Sequence, residues 1–221
     1  MATSTINIPA MGLTSPIKWG SRESIKSMVK KIWANYKPFL QFASEQSNIP
    51  VDILASFIAV ESGGNPKAGA SGHITQGLMQ WNRTYAKAQL ERELKEGRMT
   101  KAEKDKLATF GIKFDASGKT RVITNADQLK PELNILIGSI LLGQLIDTDW
   151  GTEGGQIKME RVITVYNAGA YGDAGKKARS KIYKTPTELA NVVNPVTSSY
   201  IAKMLGKDGA MDIAKTDNLL A

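Results

Sequence analysis

Residues 51–66 read VDILASFIAVESGGNP, and the order of residue types in that stretch decides the fold. Pro50 suits a helix start, Ile53, Leu54, Phe57 and Ile58 recur at spacings of three and four, and Gly63-Gly64 supplies a stop. Glu61 follows Phe57 by four residues and Ile58 by three, so a helix sets its carboxylate on the apolar, core-facing stripe. It also falls in the last turn, where the helix dipole disfavours negative charge by ~0.3–1 kcal/mol. Both effects oppose ionisation, desolvation the more strongly, so the pattern predicts a carboxyl that keeps its proton near neutral pH. Such a group can serve as a general acid. A Glu that swings out to solvent or pairs with a Lys satisfies the same spacing, and position alone does not choose between the two.

Outward from this stretch the chain reads as mainly α. Ser21 caps a helical segment carrying Ile25, Met28, Val29, Ile32 and Trp33; Pro38 interrupts it, and a second piece reaches about Gln46. Two polar helices are expected over 85–96 and 100–109, the second opening on the capping-box spacing Thr100-Lys-Ala-Glu103. Ile112–Phe114 and Thr120–Ile123 flank a turn sequence and predict a small β-hairpin. A strongly apolar helix follows over about 127–147, then a Gly-rich turn at 151–155 and a helix over about 156–165. Short helices separated by Pro186 and Pro195 complete the chain to Leu205. The expected organisation is an extended arm at 1–20, one helical domain over 21–205 with a charged insertion at about 85–123, and a loosely held tail at 206–221.

Composition narrows the chemistry. The 221 residues include no Cys and one His, His73, which excludes disulfides, thiol nucleophiles, Cys-ligated metals and multi-His metal sites. No metal and no cofactor is expected, and the work falls to carboxylates, hydroxyls, amides or Lys. The net charge of +8 favours polyanionic partners, and residues 81–130 hold twelve basic against seven acidic side chains. That interleaving reads as a solvated helical face rather than a specific nucleic-acid site. The run from Lys176 to Lys184 has one tyrosine and no stacking pattern. The first twenty residues lack the basic and apolar regions of a secretory signal, and no segment is long enough to span a membrane.

Two further segments bear on Glu61. Gly77-Leu78-Met79-Gln80-Trp81 and Val165-Tyr166-Asn167-Ala168-Gly169 each set an amide side chain beside an apolar or aromatic residue, next to glycine. Amides with an aromatic wall suit a neutral, acetamido-bearing sugar. In order and spacing these segments resemble the catalytic domain of soluble lytic transglycosylases and goose-type lysozymes, from about Phe42 to Leu205. Glu61-Ser62 resembles the family's Glu-Ser motif, Gly77–Gln80 its Gly-Leu-Met-Gln motif and Tyr166–Gly169 its Tyr-Asn-Ala-Gly motif. Lys130-Pro131 through Asn134-Ile135 and Gly138 is similar to the helix before the third motif, and Thr197 with Tyr200 matches the closing one. Val165 replaces an Ala, Val196 stands where the family has Glu, and Ile74-Thr75 replace Gly-Ala.

The resemblance implies a lysozyme-like helical fold with a small β-hairpin insertion, and cleavage of peptidoglycan between N-acetylmuramic acid and N-acetylglucosamine. It implies that Glu61 is the catalytic acid and then base, that Tyr166 orients it, and that Ser71, Gln80, Asn167 and Tyr200 contact substrate. No matched motif supplies the second carboxylate of an ordinary glycosidase, which favours attack by the muramic C6 hydroxyl and a 1,6-anhydro product over hydrolysis. The expected partners are glycan strands and, through the termini, other virion proteins. The expected setting is a bacteriophage: a virion component (tail or ejected protein), or an endolysin held in the host cytoplasm before release. The rival readings are a lysozyme-type hydrolase, a structural virion protein with an inactive lysozyme-like fold, and a basic nucleic-acid-binding protein.

Overall fold

Helix α1 runs unbroken from Arg22 to Ser47 in the computed structural model, which describes residues 19–69 and 72–217. Pro38 lies inside it, where the sequence predicts an interruption. A mid-helix proline forfeits one backbone bond and costs ~3 kcal/mol. Burial of Ile32, Tyr36, Leu40 and Ala43 around it offsets that cost, at ~1.5–3 kcal/mol for each large side chain. The expected arm lies almost wholly outside the described residues.

The described chain is predominantly helical with two small antiparallel sheets, and it divides into two compact units. One is Lys31–Leu141. It holds α2 (Val51–Ser62), β1 (Thr75–Gln76), β2 (Trp81–Asn82), α3 (Arg83–Lys95), α4 (Lys101–Thr109), α5 (Asn125–Gln128) and most of α6 (Pro131–Ile146). Strands β1 and β2 pair with Thr75 opposite Asn82 and Gln76 opposite Trp81. Asn82 then caps α3, its Oδ1 accepting from the N–H of Thr84 at 2.9 Å and of Tyr85 at 3.1 Å. Thr100 and Glu103 form the capping box expected from their spacing.

Two local expectations differ from the structure in this unit. The 112–123 segment carries a single bridge between Phe114 and Thr120 rather than a hairpin. Asp115 closes the turn, its Oδ1 accepting from the N–H of Ser117 and Lys119 and from the Ser117 hydroxyl and its own N–H donating to Lys119 O at 2.8 Å, while Glu91 takes the Thr120 N–H at 3.0 Å in place of a ladder partner. The apolar helix expected over 127–147 is split, with α5 ending before Lys130 and α6 starting at Pro131, where a proline is best tolerated.

The other unit combines the described residues up to Lys30 with those from Leu142 onward. It holds β3 (Thr152–Glu153), β4 (Gln156–Ile157), α7 (Met159–Ala168), α8 (Asp173–Arg179), α9 (Pro186–Val192), α10 (Pro195–Leu205) and α11 (Ala210–Thr216). The expected Gly-rich turn is a hairpin, with Gly154 and Gly155 both at positive φ, as a two-residue turn between twisted strands requires. Helix α7 packs on α8, α9 and α10, and α10 also packs on α9 and α11. Residues 206–217 correct the expectation of a loose tail. Ala210, Met211, Ile213 and Ala214 of α11 are buried, and Arg22 holds the segment by pairs to Asp208 at 2.6 Å and Asp217 at 2.5 Å. Among the described residues no helix is long and apolar enough to cross a membrane.

Candidate active site

Helix α2 buries every residue from Ile53 to Ala59, so it is enclosed on all sides rather than along one stripe. Val60, Glu61 and Ser62 are half-buried. Glu61 therefore sits where a buried helix comes to the surface of its unit, not on the core-facing stripe that its spacing predicts. The exit from the helix is closely held. Gly63 takes the left-handed cap conformation and its N–H donates to Ala59 O at 3.1 Å. The Ser62 hydroxyl donates to Ile58 O at 3.0 Å and accepts from the Gly64 N–H at 3.2 Å. From α1, the buried Tyr36 hydroxyl donates to Gly64 O at 3.1 Å. Burial pushes that phenol above its usual range, so it remains a donor. The backbone under Glu61 is fixed from both sides.

The turn from Gly77 to Gln80 joins β1 to β2 and is fastened to α6 by Asn134, which is fully buried. Asn134 Oδ1 accepts from the Met79 N–H at 2.7 Å, and its Nδ2 donates to Gln76 O at 3.0 Å and Gln128 O at 2.7 Å. Its own carbonyl accepts from the Trp81 indole at 2.9 Å. Gly77 is required at its position: its φ is +83°, and a Cβ there would overlap Gln128 O and the Asn134 amide. Trp81, 3% exposed, is a packing residue and not a wall of an open cleft.

Gln80 is half-buried at a φ of +48°. Its amide nitrogen donates to Ala68 O at 3.1 Å and Gly77 O at 2.7 Å, which uses both of its hydrogens. Its Oε1 accepts from the Thr75 hydroxyl at 3.4 Å. Gln80 thus ties the loop after Glu61 to the turn, and only its oxygen retains acceptor capacity. Sequence reasoning assigned it to ligand alone; the orphan carbonyls of an irregular loop were the signal that it had a second task. Ser71 lies outside the described residues. His73 is exposed.

In the other unit, α7 repeats the design of α2. Met159 to Val165 are buried, Tyr166 is half-buried and Asn167 is exposed, and Gly169 ends the helix with its N–H on Val165 O at 2.9 Å. Tyr200 on α10 is 7% exposed, which makes it chiefly a core residue, while Val196 on the same helix is exposed. Arg161, missed by the sequence reading, is 1% exposed and reaches Glu153 Oε2 at 3.1 Å, bracing α7 against β3.

The basic stretch is largely neutralised in place. Lys87 and Lys119 pair with Glu91, Arg98 with Glu93 and Glu96, Lys101 with Asp105, Lys106 with Glu132, and Arg121 and Lys130 with Asp127. Glu91, Glu93 and Asp127 are largely covered while Lys101 and Asp105 lie in solvent, so only part of the stretch is the solvated face expected from the charge interleaving. Among the described residues no three His, Asp or Glu side chains lie close enough together to hold a metal ion.

A mainly α fold with minor β elements, and a carboxylate at the end of a buried helix followed by a glycine cap, are consistent with a lysozyme-like protein. Residues 38–109 match the family described as the Transglycosylase SLT domain. That interval contains Glu61 and the Gly77–Gln80 turn; Tyr166, Asn167 and Tyr200 lie beyond it. The match supports a relation to the lytic transglycosylase and lysozyme-like proteins, and with it a glycan-cleaving activity in general. No curated protein matches the chain.

Proposed function

We propose that the protein is a peptidoglycan lytic transglycosylase that cuts the β-1,4 bond between N-acetylmuramic acid and N-acetylglucosamine. The observation that carries this reading is the half-buried Glu61 on a rigidly capped helix end, inside the interval that matches the SLT domain. Protonated Glu61 donates to the glycosidic oxygen, and the bond from that oxygen to the muramic C1 breaks as oxocarbenium character develops. The Glu61 carboxylate then takes the proton of the muramic C6 hydroxyl, whose oxygen bonds to C1. Glu61 ends the cycle protonated, no water is consumed, and the product carries a 1,6-anhydro ring. Gln80, with its nitrogen committed to the loop, offers Oε1 to an acetamido N–H, and Asn167 presents an exposed amide for the same class of contact.

Mass spectrometry of muropeptides released from purified cell walls tests this directly. Anhydro ends, one water lighter than reducing ends, are expected. Reducing ends would make the protein a lysozyme-type hydrolase, and intact walls would remove the enzymatic reading.

A further inference from the structure

Tyr171 is the most exposed of the large hydrophobic side chains among the described residues, at 82%. It lies four residues after Asn167, between the end of α7 and the start of α8. A lone exposed aromatic needs no explanation, but this one is held. The Arg179 guanidinium lies over its ring at 5.7 Å from the centroid, and Arg179 Nη1 donates to Ala170 O at 3.1 Å, so one cation fixes both the ring and its backbone. The loop under the ring is equally constrained. Gly175 of α8 sits so close to the Gly169 carbonyl that a Cβ would overlap it, which seats α8 on the loop's backbone. A ring presented in advance on a braced loop loses little conformational entropy when it meets a ligand.

We propose that Tyr171 is a sugar-stacking platform that extends the glycan-binding surface beyond Asn167, with Arg179 as its support. This inference rests on the glycan-cleaving reading above. A pyranose presents a face of C–H groups to the electron-rich ring, and its acetamido and hydroxyl groups suit an exposed amide such as Asn167, four residues earlier in the chain. A nucleobase would also stack, but single-strand binding needs free cations to follow the phosphates. Among the cations beside this loop, Lys177 donates to Val192 O, Arg179 holds Ala170 O and the ring, and Lys181 pairs with Asp149 at 3.0 Å, while Lys176 of α8 is exposed. The exposed amide of Asn167, four residues before the ring, suits acetamido and hydroxyl groups and favours a glycan.

The test uses the full chain carrying Glu61→Gln, so that bound sugar is not cut, with a β-1,4-linked N-acetylglucosamine hexamer as probe. Adding Tyr171→Ala is expected to weaken binding about fivefold to tenfold, the range of one aromatic contact, with the melting temperature unchanged. Adding Tyr171→Trp restores binding. In the active chain, Tyr171→Ala raises KM on solubilised glycan strands by a similar factor and leaves kcat within about twofold. Unchanged hexamer affinity in Tyr171→Ala overturns the platform while the glycan-cleaving reading stands, provided the Glu61→Gln parent binds and the unaltered chain cuts. A Glu61→Gln parent that does not bind, together with an unaltered chain that does not cut, overturns both. Salt-sensitive binding of a thymidine oligonucleotide that Tyr171→Ala abolishes, without hexamer binding, reassigns the ring to nucleic acid and overturns the proposal.

Discussion

At the residue scale the proposed chemistry concentrates on Glu61, and its isostere separates chemistry from folding. Glu61→Gln preserves shape and hydrogen-bonding capacity but cannot transfer a proton. It is expected to abolish clearing of cell-wall suspensions while circular dichroism and melting stay close to the parent. Clearing at the parental rate by the variant would exclude Glu61 as the acid. Gln80 makes a contrasting case, because both hydrogens of its amide already hold Ala68 O and Gly77 O. Gln80→Ala is expected to lower stability by about 1–2 kcal/mol through those two lost bonds. Gln80→Glu is expected to be worse, since a carboxylate turns an acceptor toward two carbonyls. Urea denaturation of the three proteins orders them. Equal stability of all three would restrict Gln80 to ligand contact.

At the element scale, the β1–β2 connection depends on its fastening to α6. Asn134 satisfies one N–H and two carbonyls of a buried, irregular segment. Asn134→Ala leaves those groups without partners and is expected to cost about 2–4 kcal/mol. Asn134→Asp keeps the bond from Met79 N–H but opposes Gln76 O and Gln128 O, so hydrogen exchange of the 76–82 amides should accelerate in both variants. Exchange confined to other segments would show that the turn is held by its own strands. The same elements show what a sequence can and cannot disclose. The apolar run of α2, the capping box of α4 and the Gly63 cap are local signals and their helices form where the sequence puts them, whereas the apolar run at 127–147 is divided between α5 and α6. The continuity of α1 through Pro38 was hidden because burial of distant side chains outweighs a local penalty. Two-residue strands carry too little alternation to register, and the Gly154-Gly155 hairpin was read only as a turn. Glu61 and the Gly77–Gln80 turn were legible as motifs. The Gln80 and Asn134 clamps were not, because their partners are backbone carbonyls up to 58 residues away, which no side-chain pattern records.

At the scale of the whole molecule, acids of opposite tendency set how stability responds to pH. In the Lys31–Leu141 unit, burial pushes the Asp127 carboxyl up, but the Arg121 pair, the Thr124 N–H and hydroxyl, and Lys130 together hold it well below the ordinary carboxylate range. Glu103 in the same unit moves the other way, since burial favours its neutral form despite the Thr100 bonds. The second unit repeats the contrast. Bonds from Lys26 and Arg22 bring Asp217 down to about 2, and burial raises Glu160. A lowered acid adds stability that is present above its ordinary value, 3.8 for Asp, and is lost as pH falls toward the folded value. A raised acid adds stability that is present below its ordinary value, 4.5 for Glu, and is lost as pH rises through the folded one. The two signs together place the stability maximum in mild acid. Asp127→Asn is therefore expected to cost about 2 kcal/mol at pH 7, less than a fully buried pair because Arg121 and Lys130 are partly exposed, and to flatten the loss between pH 4 and pH 2. Glu103→Gln keeps the capping box, because glutamine fills that position as well as glutamate. It is expected to raise the melting temperature at pH 8 and leave it unchanged at pH 4. Melting curves from pH 2 to pH 9 check both variants. A Glu103→Gln gain of equal size at both ends would mean that packing, not the buried charge, governs the site.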